Sequence, residues 1–350
     1  MKKKRVAVLF GGQSSEYDIS LQSAYAVLRA IPKERWEVVP VGITRQGAWL
    51  AYEGPWKAIP QDQWLRGTLS PIAPSLDGKR RGFWKLSPQP DFLPVDVVFP
   101  VLHGRRGEDG TVQGLLELMN LPYVGSGVLA SALCMDKHRA HQLASLAGVA
   151  APKGMAFSVG ELDCALGRIR RELAPPLFVK PLRAGSSLGI SRIASWSELP
   201  RAIHDALAFD SQALVEEEVP GFEVGCAVLG EDSFTVGRVD EIETPHPLFD
   251  FHEKYTLEHS VIHTPARIPP EKEREIQQAA VTVYRALGCS GYARVDMFLT
   301  PEGKIFFNEV NTIPGLTAHS RFPAMLRAAE MDFPQVVERL LKEALSHGEG

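Results

Sequence analysis

Residues 294–315, RVDMFLTPEGKIFFNEVNTIPG, set Arg294, Asp296, Glu309 and Asn311 among residues that belong in a core. Two apolar runs flank TPEGK, whose Pro301 and Gly303 supply turn chemistry, so the stretch reads as a β-hairpin. With the turn centred on Glu302 and Gly303, Asp296 lies opposite Glu309 and Arg294 opposite Asn311. Residues two apart share a face of a strand. All four polar groups then point one way, while Val295, Met297, Phe307 and Val310 face other neighbours. A turn of odd length breaks this register. Two carboxylates directly opposite one another repel, and a positive charge belongs between them. Two carboxylates and an amide suit a hard cation such as Mg²⁺, which keeps waters and bridges to phosphates. A solvated outer face carrying an Arg–Glu ion pair is the alternative.

Other stretches offer complementary chemistry. KPLRAGSSLG, residues 180–189, places Lys180 before a Gly/Ser loop between two strands. Such a loop can fold over phosphates with its backbone N–H groups, and equally it can be an ordinary turn. It is no Walker A loop, because no GK[ST] follows. In EEEVPGFE, Glu216 and Glu223 stand seven apart across a Pro-Gly bend. Acidic groups there can take an adenine amino group and ribose hydroxyls, or form a solvated acidic turn. FGGQSSE (10–16) and LHGRRGEDG (102–110) fall at strand ends, where open α/β sheets bind ligands. Glu16 can grip an ammonium group. A histidine such as His103 on a post-strand loop is more often structural than catalytic.

The elements that must position these residues follow from the apolar pattern. RVAVLFGG (5–12), a helix over 20–31 and a strand over 36–44 open a parallel α/β sheet. Residues 45–92 read as an insertion of loops and short strands. A buried strand at 95–104 and a helix at 111–121 complete a first domain, residues 1–125. A second, 126–215, holds a helix at 136–148, the strand–glycine loop–strand of 176–193, a helix opened by Ser197 and the strand QALVEEEV. A third, 216–350, holds the hairpin and a terminal helix.

The chain has 350 residues, 45% of them hydrophobic, and a net charge of −4. That supports packed cores and argues against nucleic acid as a partner. After KKKR the chain turns polar too soon for a signal peptide, and no run approaches the roughly 18 apolar residues of a membrane span. Cysteines 134, 164, 226 and 289 form no CxxC. The expectation is a reduced, cytoplasmic protein without structural zinc.

LFGGQSSEYDISLQSA, LHGRRGEDGTVQGLLEL, MDKHRA, FVKPLRAGSSLGI, ALVEEEVPGFEVGCAVLG, HEKYTLEH and RVDMFLTPEGKIFFNEVNTIPGLTAHSRFP occur in the order found in D-alanine–D-alanine ligases. The chain resembles that family over nearly its whole length, least over 45–92. EVGCAVLG and ARVDMF are similar to its vancomycin-resistance branch, whose members make D-Ala–D-Ser or D-Ala–D-lactate, and Phe249 and Asp240 match the D-Ala–D-Ser ligases of the G type. The resemblance implies the ATP-grasp fold: an N-terminal parallel α/β domain, a central lid domain and a C-terminal domain, the last two α+β and clasping ATP. It implies Mg²⁺, two ions in all, with Mn²⁺ as a substitute, held by Asp296, Glu309 and Asn311. Lys137, Lys180, Ser187 and Lys254 match phosphate contacts. Glu216, Val219 and Glu223 match the adenine and ribose contacts. Glu16, Ser186 and Tyr255 match a set that orients the first D-Ala and closes the lid. Arg294 and the Gly315 N–H match stabilisers of transition-state charge. His103, Asp240, Phe249, Ser320 and Arg321 match the acceptor side. A homodimer is implied as well.

The implied reaction converts a carboxylate into an acyl phosphate at the expense of ATP, after which a second substrate attacks and phosphate leaves. Tyr255, where lactate-using relatives carry His or Phe, implies an amine acceptor and so a dipeptide. In TAHSRFP, Arg321 replaces the Leu or Met usual in D-Ala–D-Ala ligases. An arginine brings five donors and suits a hydroxyl-bearing acceptor, so D-Ser is expected over D-Ala, with Asp240 available to hold Arg321 by a charge-assisted pair. D-Ala–D-lactate synthesis and another ATP-grasp carboxylate–amine ligation are the alternatives. A nucleotide-binding regulator would lack a metal ligand or the arginine. A Rossmann dehydrogenase would need GxGxxG after the first strand, where this chain has GGQSSE.

Overall fold

The computed structural model describes residues 3–87, 89–245 and 259–347. The first sheet starts with β1 (Lys4–Gly11), α1 (Tyr17–Ala30) and β2 (Trp36–Ile43). It continues through β3 (Trp49–Glu53), β4 (Thr68–Pro74), β5 (Gly82–Lys85), β6 (Asp91–Pro94) and β7 (Val97–Pro100). Strand order is β6-β5-β4-β3-β2-β1-β7. The β2, β1 and β7 strands are parallel, and β1 is buried from Val6 to Phe10. That explains its unbroken apolar run, since parallel strands are covered on both faces.

The segment 45–92 is made of loops and short strands, as expected. Its strands extend the first sheet by antiparallel pairing, and Trp64 anchors it. Trp64 is fully buried, edge-on to Phe10 and Tyr52, and donates from Nε1 to the Tyr17 hydroxyl at 3.0 Å. It fits because residue 42 is glycine: a Cβ there would stand 2.4 Å from the Trp64 ring.

Next come α2 (Thr111–Leu118), α3 (Val128–Met135) and α4 (Lys137–Leu146). A central antiparallel sheet, order β10-β9-β11-β8, uses β8 (Gly154–Ser158), β9 (Leu177–Pro181), β10 (Ser191–Ile193) and β11 (Gln212–Glu217). It is backed by α5 (Leu162–Glu172) and α6 (Leu199–Leu207). The N-cap of α6 is Glu198, not Ser197. The third sheet comprises β12 (Phe222–Leu229), β13 (Thr235–Val236), β14 (Asp240–Glu243), β15 (Val261–His263), β16 (Tyr292–Leu299) and β17 (Ile305–Asn311). Its helices are α7 (Pro270–Ala286), α8 (Arg321–Ala328) and α9 (Phe333–His347).

Two assignments differ from the three-domain division expected from sequence. Cys134, Ala140 and Ala144 of α3 and α4 join the core of the third sheet, not the central one, because their apolar faces meet β17 and α7. Val336, Val337, Leu340 and Leu341 of α9 pack into the core of the first sheet beside α1 and β7. The first and third units are thus locked together, and the central sheet stands on its own core.

Truncating Trp64 removes the anchor of the extension. Trp64→Ala should destabilise the first unit by about 3–5 kcal/mol, read from urea unfolding. A loss below about 1 kcal/mol would show that the extension is held elsewhere.

Candidate active site

The hairpin of β16 and β17 pairs Arg294 with Asn311 and Asp296 with Glu309. Its turn nevertheless has odd length: Thr300 N–H donates to Lys304 O, closing a three-residue loop with Gly303 at φ 78°. A β-bulge restores the register, because Met297 pairs with Phe307 and Asn308 is left over. The bulge is clamped from α4. His141 Nε2–H donates to the Asn308 carbonyl at 2.7 Å, and Phe307 N–H donates to Ala150 O at 2.7 Å. Such a bulge re-aims the side chains that follow it, here Glu309.

Positive charge does lie beside both carboxylates, supplied by the protein itself. Arg294 Nε and Nη2 donate to Asp296 at 2.8 and 2.7 Å, and Asn311 Nδ2 donates to Asp296 Oδ2 at 2.8 Å. Lys137 Nζ stands 3.5 Å from Glu309 Oε2 and donates to Ala184 O at 2.8 Å. The face is not an open outer surface, since Asp296 is 1% exposed and Arg294, Glu309 and Asn311 are half-buried. Asn311 turns its amide nitrogen to Asp296, which leaves Oδ1 as an acceptor at the cleft. Glu309 and Asn311 line that cleft, whereas Asp296 lies beneath them with its oxygens taken by Arg294 and Asn311. The donor set therefore fits a hard cation through Glu309 and Asn311, and through Asp296 once Arg294 yields an oxygen.

Two clefts meet here. One, of about 480 Å³, is lined by Glu16, His103, Ser186, Arg294, Gly315, Ser320 and Arg321. The other, of about 350 Å³, is lined by Lys180, Ser187, Glu216, Val219 and Glu223. Lys137 and Glu309 line both. In the second cleft Lys180 pairs with Glu216, whose Oε2 is buried without a hydrogen-bond partner, 3.9 Å from His141 Nδ1. An orphaned buried acceptor is costly and fits a ligand N–H donor such as an adenine amino group.

In the first cleft Ser186 Oγ donates to Glu16. Glu16 sits where Gly104 and Gly185 leave room, since their Cβ atoms would approach its Oε2 to 2.3 and 3.1 Å. Ser186 and Ser187 both adopt positive φ, 53° and 57°, a strained pair for non-glycine residues. Tyr255, Lys254 and Phe249 lie outside the described residues.

The Gly315 loop is held from the first unit. His103 Nδ1–H donates to Ile313 O at 2.8 Å, so its Nε2 accepts from Ser23 Oγ at 3.2 Å. Burial lowers the His103 pKa and keeps the ring neutral. Glu108 accepts from Gly104 N–H at 2.8 Å and Ile313 N–H at 3.0 Å. Burial, then the charge of Glu16, pushes its carboxyl up to about 8. Ser320 Oγ accepts from Thr317 N–H at 3.1 Å and would lie 2.8 Å from a Cβ at Gly315.

Arg321 is nearly buried, not an open donor fork. Nε and Nη2 donate to Asp240 at 2.7 and 2.8 Å, Nη1 donates to Glu223 at 2.7 Å, and Nη2 stands 3.4 Å from Asp296. These three hydrogen bonds leave two of its five donors, one on Nη1 and one on Nη2, the latter nitrogen being the one beside Asp296. Asp240 is fully buried and does not line that cleft, so it acts by holding Arg321. Sequence reasoning missed His141 and Glu108. His141 follows Lys137 by one helical turn, which puts both on one face. Glu108 lies within a loop already picked out by its place at the sheet edge.

The family model "D-ala D-ala ligase N-terminus" matches residues 5–126, and "D-ala D-ala ligase C-terminus" matches 154–342. The crystal structure of VanG D-Ala:D-Ser ligase from Enterococcus faecalis is 50% identical, with a TM-score of 0.93 over 98% of this chain and 100% of that one. The vancomycin C-type resistance protein VanC1 of Enterococcus gallinarum is 42% identical, covering 97% of each chain. A D-alanine–D-alanine ligase of Caldicellulosiruptor bescii is 40% identical over 99% of this chain and 96% of its own.

The raised Glu108 pKa carries a signed consequence. Between its ordinary value and about 8 the folded protein binds a proton that the unfolded chain does not, so stability falls as pH rises through that window. In the ligand-free protein, the Tm advantage of the native carboxyl over Glu108→Gln should be largest near pH 5 and shrink toward pH 8. A gap independent of pH would contradict the assignment.

Proposed function

The chain belongs to the D-alanine–D-alanine ligase family, whose members are ATP-dependent, and we propose that it joins D-Ala to D-Ser for peptidoglycan precursors. The observation that carries this reading is the meeting of two clefts at Lys137 and Glu309. The nucleotide cleft offers Lys180, Ser187, Glu216, Val219 and Glu223 to ATP. The other offers Glu16 to the ammonium group of the first D-Ala. Glu309 and the Asn311 carbonyl would hold Mg²⁺, joined by Asp296, and the ion would neutralise phosphate charge.

The D-Ala carboxylate attacks the γ-phosphorus and ADP departs. The acceptor amine then attacks the acyl carbon, loses a proton and expels phosphate. Lys137 bridges the clefts where charge builds up, and Arg294 with the Gly315 N–H faces the oxyanion of the second step. His103 and Glu108 steady the loop that carries Gly315. The strained Ser186–Ser187 pair, tied to Glu16, suits a lid that closes to exclude water. A cytoplasmic enzyme is proposed on its free cysteines, and no helix among the described residues is long and apolar enough to cross a membrane. A homodimer is part of the proposal, and exposed Leu118 and Leu129 are available to such a contact.

D-Ser is the favoured acceptor because Arg321 keeps an Nη1 donor for a hydroxyl at the cleft wall. A site built to hydrogen-bond a hydroxyl rejects an analogue lacking it. The similarity to a D-Ala:D-Ser ligase at 50% identity supports the same acceptor.

Glu309→Gln should slow phosphate release on the order of a hundredfold or more while circular dichroism stays native. Near-normal release at ordinary Mg²⁺ would remove Glu309 from the metal site. With D-Ala and D-Ser in equal competition, D-Ala–D-Ser should dominate, and Arg321→Met should move the product ratio toward D-Ala–D-Ala. A kcat/KM for D-Ala as acceptor at or above that for D-Ser would end the D-Ser reading.

A further inference from the structure

We propose that Gly225 determines acceptor specificity, because its missing side chain is the seat of the Arg321 guanidinium. The proposal rests on the acceptor reading above. Gly225 lies in the middle of β12, paired with Asp240 of β14 on one side and Asp296 of β16 on the other. Directly paired residues share a face, and so does Glu223, two residues away. Three carboxylates from three adjacent strands therefore surround one position without a side chain.

Arg321 fills it. A Cβ on Gly225 would stand 2.4 Å from Arg321 Nη2, 2.8 Å from Asp240 Oδ1 and 2.9 Å from Asp296 Oδ1. The tip of an arginine usually yields to such a clash, but this one is pinned by Asp240 and Glu223 and is 8% exposed. To make room it must abandon charge-assisted bonds in a buried site. Gly225 is not among the positive-φ residues, so alanine accepts its backbone and the effect is steric. With the seat filled, the guanidinium is displaced and its remaining Nη1 donor no longer lies at the level of the cleft wall. The wall then stops discriminating between a hydroxymethyl and a methyl side chain on the acceptor.

The test is a double-mutant cycle of the native enzyme, Gly225→Ala, Arg321→Met and the pair, which isolates direct coupling between neighbours. The ratio of kcat/KM for D-Ser to that for D-Ala, and Tm, are read for each. Gly225→Ala should move the ratio toward D-Ala by about tenfold or more, a ratio from which any loss of ATP or metal binding common to both acceptors cancels. The pair should come close to Arg321→Met alone in both readouts, because the tightest contact, 2.4 Å to the guanidinium, is gone and Asp240, no longer held by Arg321, can give way. Penalties that simply add, or an unchanged ratio in Gly225→Ala, would overturn the proposal. If Gly225→Ala fails to fold while Arg321→Met folds, recovery of folding in the pair supports the seat and failure of the pair overturns it. If the native enzyme prefers D-Ala, the acceptor reading falls separately. The seat then stands or falls on whether the two substitutions are non-additive in Tm.

Discussion

Two guanidinium groups and three carboxylates share one face of the third sheet: Arg294 and Arg321 against Asp240, Asp296 and Glu223. Asp240 and Asp296 are almost wholly removed from water. An isolated carboxylate in such a place carries a penalty of several kcal/mol even after relaxation, and only well-made hydrogen bonds to opposite charge offset it. Each member is therefore conditional on the others. Withdrawing one partner leaves a buried charge uncompensated, which is why this face holds its side chains in a single arrangement. Glu309 and Asn311 stand on that platform. Asn311 is oriented by its bond to Asp296, and that bond decides which end of the amide meets the cleft.

The same platform separates two tasks. Toward the first unit it presents Arg294 and the end of Arg321 to the larger cleft, and toward the central sheet it presents Glu223 and Glu309 to the smaller one. The larger cleft exists only because the first and third units interlock. His103 and Glu108 grip both backbone groups of Ile313 across that junction, and α9 packs into the core of the first sheet. The central sheet touches the site mainly through Lys180, Glu216 and the Ser186–Ser187 loop, and its core is separate. That division matches the chemistry, which needs a rigid floor for charge and a movable cover against water.

Much of this was legible in the residues. Alternation along 294–299 and 305–311 marks the hairpin, and its pairing brings Asp296 to Glu309 and Arg294 to Asn311. An even turn predicts that register, whereas the chain uses an odd turn and compensates at Asn308. Turn residues look alike in the two cases, and a bulge depends on what packs behind the strand, here His141 and Ala150. The apolar face of α4 gave no sign that it would join the third core instead of the central one. Helical period shows that a face is buried but not against which sheet.

Sequence alone determined the chemical inventory, namely which side chains can carry charge, accept hydrogen bonds or allow close approach, and at what spacing. It also determined the strands and helices that carry them, because apolar period is a local property. Only the tertiary structure decided which charges meet. Lys137 and Glu309, Glu16 and Ser186, and Arg321 with Asp240 and Glu223 come from segments far apart in the chain. Whether a carboxylate becomes a metal ligand, a clamp or a counter-ion depends on its desolvation and on the nearest opposite charge. Both are set by packing across the junction of three units and not by neighbours in sequence.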